Sequence, residues 1–188
     1  MFDQLNDLVK QFGIDAVVNN AAVPNKQNEA VMNESSNFLL EGLKNMVAQG
    51  KINDLAGLFQ GNASANGANP VVKQLTNELT NHLGKKFGLN NKASLSVASG
   101  LTPKVLGSLI GKAKDPNDSS FEISDLISAI SGGNSEAGSG LMNAISNYGT
   151  AFGLDQNKDG KVDINDALAA VSKKSGGLGG LFGKVFGN

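Results

Sequence analysis

Cysteine is absent from these 188 residues, and so are arginine and tryptophan. Without cysteine there are no disulfides, no thiolate metal sites and no cysteine nucleophile, although the cellular compartment stays undecided. All 16 basic residues are lysine. Bidentate recognition of phosphate, carboxylate or guanine is mainly an arginine task. With one Tyr, no basic stripe and a formal net charge of −1, the chain is not expected to bind nucleic acid. Aromatics make up only 5% of residues, so the expected core is aliphatic, with the nine Phe as its largest members. The 24 Gly and abundant Asn predict short helices, many turns and a fold that draws stability from an ion or a partner.

Long hydrophobic runs are missing too. No stretch approaches the roughly 20 apolar residues that span a bilayer. The first residues, MFDQLNDLVKQFGIDAVV, lack a basic start followed by an apolar run, so no signal peptide is seen. The expectation is a soluble, cytoplasmic protein; a chain trimmed of its leader would read alike and be extracellular.

What is present is helical periodicity. Leu5, Leu8, Val9 and Phe12 share one face, with Gly13 expected to close the segment. From Asn28 to Gln49 the stripe is Val31, Phe38, Leu39, Leu43 and Met46, and Ile52, Leu55 and Phe59 mark a shorter helix. Asn69 and Pro70 suit the N-cap and first position of a helix carrying Val72, Leu75, Leu79, Leu83 and Phe87. Asn91 starts another helix through Val97. Thr102-Pro103 is expected to start a separate one with Val105, Leu106, Leu109 and Ile110. No alternating strand pattern occurs, so the predicted fold is all-α: a bundle of short helices in stacked two-helix units. A loose internal repeat relates 3–49 to 72–113. The expected divisions are a helical unit at 1–61, a Gly/Ala/Asn linker at 62–69 and a second unit at 70–132. A helix-loop-helix unit at 133–174 and a Gly-rich tail at 175–188 complete them.

One stretch carries specific chemistry. In DQNKDGKVDIND, counting from Asp155, side-chain oxygens fall at positions 1, 3, 5, 9 and 12: Asp155, Asn157, Asp159, Asp163 and Asp166. The Lys161 carbonyl stands at position 7, Gly160 at the sharp turn and apolar Val162 at position 8. This is the oxygen-donor spacing of a twelve-residue calcium loop. The loop resembles an EF-hand, and Asp at position 12 makes it similar to the dockerin type. Asp is one methylene shorter than the usual Glu, which weakens the grip on calcium and lets magnesium compete. The plain alternative is an Asp/Asn/Gly-rich turn with Asp166 as an N-cap.

A degenerate partner loop precedes it. FEISDL aligns with VDINDA, setting Phe121 opposite Val162, Glu122 opposite Asp163 and Asp125 opposite Asp166. Its first half is one residue short, with Asp115, Asn117 and Ser119, and Ser120 replaces the glycine. An ordinary Ser/Asp helix cap explains these residues equally well.

The ending, SGGLGGLFGKVFGN, spaces Leu178, Leu181, Phe182, Val185 and Phe186 as a helical stripe among glycines. Each interior Gly costs about 0.5–1 kcal/mol relative to Ala, so such a helix needs a surface to form on. Three surfaces are open: its own domain, another copy or protein partner, or shallowly a membrane, which the single Lys184 disfavours.

His82, the only histidine, reads as a partly exposed structural residue on its helix. No Ser/His/Asp spacing, phosphate loop or dinucleotide fingerprint is present, and the glycines at 132–133 and 176–180 lack a preceding strand. An enzyme is not expected, unless a pocket gathers Asp and Lys.

Three stretches together resemble a bacterial family, the YidB-like proteins: VPNKQNEAVMNESSNFLLEGLKNMVAQG, LSVASGLTPKVLGSLIGKA, and LDQNKDGKVDINDALAAV before a Gly/Leu/Phe tail. The resemblance implies an all-helical bacterial protein, often with such a loop near its C-terminus, and implies no activity. Two functional expectations remain. One is a calcium-binding protein whose ion locks the C-terminal helices for self-assembly or partner binding. The other is a calcium sensor that exposes its tail.

Overall fold

The computed structural model describes residues 2–60, 67–114 and 123–146. Among them are seven α-helices and no strand: α1 (Phe2–Gly13), α2 (Asn28–Ala48), α3 (Ile52–Gln60), α4 (Pro70–Phe87), α5 (Asn91–Lys114), α6 (Ile123–Ile130) and α7 (Ser135–Ser146). The all-α bundle follows from the periodicity. The chain divides into two units, Met1–Met142 and Asn143–Asn188. Helices from both sides of the 62–69 linker build the first, with α4 packed on α2 and α5, and α1 on α2 and α5.

The core is leucine, valine and isoleucine. Val31, Leu39, Leu55, Val72, Leu75, Leu79, Leu83, Val97, Leu101, Val105 and Leu141 are fully enclosed. Phe12, Phe38 and Phe87, expected among the largest core members, are only half-buried at the margins. The aliphatic stripes already fill the space between helices, which leaves the rings to cover edges.

Two contacts fix the direction of α4 against α2. Gly42 faces Leu75, while Glu34, one end of α2, meets His82 near the other end of α4. The helices are therefore antiparallel. By the same reasoning α5 runs antiparallel to α1, since Gly100 abuts Ala16 and Lys104 Nζ lies 6.0 Å from the Phe12 ring centroid. Gly88 adopts φ 66° and reverses the chain between α4 and α5, a left-handed conformation that costs glycine little.

The start of α4 forms as expected. Asn69 Oδ1 accepts from Val71 N at 2.9 Å and from Val72 N at 3.4 Å, with Pro70 at the first helical position. Asn69→Ala leaves those amides without this acceptor and is expected to cost about 1 kcal/mol. Denaturant unfolding checks this, and Asn69→Asp should restore most of the loss. The cap positions α4 rather than creating it, because burying Leu75, Leu79 and Leu83 contributes about 1.5–3 kcal/mol each.

Of two expected boundaries, one holds for the α-helix alone and the other does not hold. Gly13 is the last residue of α1, as expected, but the chain stays helical beyond it through a π-helical turn, Ile14–Val18, closed by Asn19 N to Ile14 O at 2.9 Å. Burial of Ala16 and Val17 carries the helix onward. Gly13 also serves contact, since a methyl group there would collide with Met32 Sδ. Thr102-Pro103, by contrast, starts nothing: Pro103 lies inside α5. An interior proline costs about 3 kcal/mol. The stripe Val97, Leu101, Val105, Leu106 and Leu109 is buried continuously across it, and that burial wins. Thr102 has its Oγ1 enclosed with no hydrogen-bond partner among the described residues.

Candidate functional site

The proposed calcium ligands Asp155, Asn157, Asp159, Lys161, Asp163 and Asp166 lie outside the described residues. So do Asp115, Asn117, Ser119, Phe121 and Glu122 of the partner loop, and Leu178, Leu181, Phe182, Val185 and Phe186 of the tail. Asp125 lies within α6, its side chain outside the described set. What the structure does place are flanking helices. α5 extends to Lys114, immediately before the partner loop, and α6 begins at Ile123 within its second half. α6 is anchored by Leu126, Ile127 and Ile130, all buried, and packs on α2 and α5. α7, Ser135–Ser146, lies where the first helix of the expected unit at 133–174 begins. Among the described residues no three His, Cys, Asp or Glu side chains converge to hold a metal ion. No helix among them is long and apolar enough to cross a membrane.

The described polar cluster with most chemistry joins α2 to α4. Glu34 Oε1 accepts from His82 Nε2 at 2.6 Å, and Glu34 Oε2 meets Lys86 Nζ at 2.6 Å. His82 and Lys86 stand four apart, so one turn of α4 presents both to a single carboxylate. Phe38, one turn along α2 from Glu34, packs on the His82 ring with centroids 4.7 Å apart and planes at 35°. The imidazole is thus held between a ring and a carboxylate, and 33% of its side chain stays exposed, as suits a structural histidine. Burial pushes the Glu34 carboxyl up. The hydrogen bonds and positive charges of Lys86 and His82 outweigh this and hold it below the ordinary value of 4.5.

The arrangement is a clasp between helices. Nothing in the separate sequences of α2 and α4 pairs Glu34 with His82, which are 48 positions apart; the only local signal is the His82/Lys86 spacing. A carboxylate whose folded pKa is depressed stabilises the fold above its unfolded value, and that contribution disappears as pH falls through the folded value. Below about pH 4.5 the wild type is therefore expected to lose stability more steeply than Glu34→Gln. At neutral pH the substitution should cost about 1 kcal/mol, since Lys86 is half-exposed and the pair is screened. Denaturant midpoints of both proteins across that range check the sign; parallel curves would remove Glu34 from the account.

With the clasp and the flanking helices as its geometry, the chain matches no protein-family model, no curated protein and no solved structure.

Proposed function

We propose that this is a non-enzymatic, calcium-binding helical protein in which the ion stabilises the C-terminal helices and supports self-assembly or partner binding. The observation that carries the reading is the donor set of Asp155–Asp166: five side-chain oxygen donors and a backbone carbonyl at calcium-loop spacing, with Gly160 at the turn. Four of those donors are carboxylates within twelve residues. Their mutual repulsion opposes a closed loop until a cation neutralises it. Calcium suits six to eight hard oxygens in flexible geometry, and magnesium competes because Asp at position 12 does not supply the reach of Glu. Two described helices support the partner loop: α5 and α6 flank its residues as a helix-loop-helix unit requires.

Calorimetric titration of chelator-treated protein with calcium tests the proposal. Heat with one site per chain is expected, assigned to Asp155–Asp166, and two sites would add the Asp115 loop. Absence of heat at millimolar calcium would reduce the stretch to a capped turn and overturn the reading.

The apolar stripe of the tail motivates a second reading, a calcium sensor that exposes Leu178, Leu181, Phe182, Val185 and Phe186 to a target protein or membrane. It differs in requiring a large calcium-dependent rise in binding of an apolar dye. The assembly reading instead requires a size in solution that depends on concentration and calcium.

A further inference from the structure

We draw no further inference here: the strongest candidate, the pair of aliphatic side chains Ile14 and Val18 on the π-helical turn beside α5, 56% and 43% exposed, is an unpartnered apolar patch and nothing in the structure shows what covers it.

Discussion

Leu75→Ala is expected to lower the unfolding free energy by about 2–5 kcal/mol, and in that background Gly42→Ala should change from harmful to helpful. Leu75 is fully enclosed where α4 crosses α2, so truncation removes its transfer free energy and leaves a cavity that close-packed helices only partly fill. Gly42 lies on the other wall of that contact. A Cβ built there stands 2.5 Å from Leu75 Cδ2, well inside contact distance.

Gly42→Ala alone therefore joins two opposed effects. Alanine gains about 1 kcal/mol of helix propensity, while overpacking against a leucine with no room costs about 1–3 kcal/mol. The net expectation is a loss of about 1 kcal/mol. Once Leu75 is alanine the collision is gone, the propensity gain remains, and the new methyl fills part of the cavity. The second substitution should then stabilise by up to about 1 kcal/mol. A double-mutant cycle by denaturant unfolding reads this as a coupling of about 2 kcal/mol. Additivity within about 0.5 kcal/mol would mean that α2 and α4 do not meet at these residues.

Much of this contact was legible beforehand. The face of α4 could be read from Val72, Leu75, Leu79 and Leu83, and its start from Asn69-Pro70, because cap and periodicity agree locally. Gly42 could not be read so. A glycine inside a helical pattern looks like a weak point until the opposing leucine is known. Pro103 misleads for a related reason: a local signal of helix initiation is outweighed by burial on each side of it, of Leu101 and Val105, just as burial of Ala16 and Val17 keeps the chain helical past Gly13. The Glu34–His82 clasp depends on which helices become neighbours, and periodicity ranks faces without naming partners. The proposed calcium loop is the reverse case. Its candidate donors are contiguous, so the calcium reading comes from spacing alone, and these residues fall outside those the structure describes.

That contiguity makes the loop open to a gain-of-function test. On the proposed calcium reading, Asp166→Glu is expected to tighten calcium binding by about tenfold or more, equivalent to roughly 1.4 kcal/mol. The added methylene lets the position-12 carboxylate reach the ion with both oxygens, as the usual Glu does. Magnesium demands near-ideal octahedral geometry at about 2.0–2.1 Å and keeps its waters, so it should gain much less. The ratio of the two affinities, taken from paired titrations, is thus a sharper readout than either alone. Asp159→Ala works in the opposite direction by deleting a charged donor beside Gly160, and should weaken binding by at least about tenfold. Neither position belongs to the unit Met1–Met142, whose helices should persist in both variants and so separate loss of ion binding from loss of that fold. If both variants bind calcium like the wild type, the ion sits elsewhere. If Asp166→Glu strengthens magnesium as much as calcium, position 12 contributes charge rather than a second coordinating oxygen.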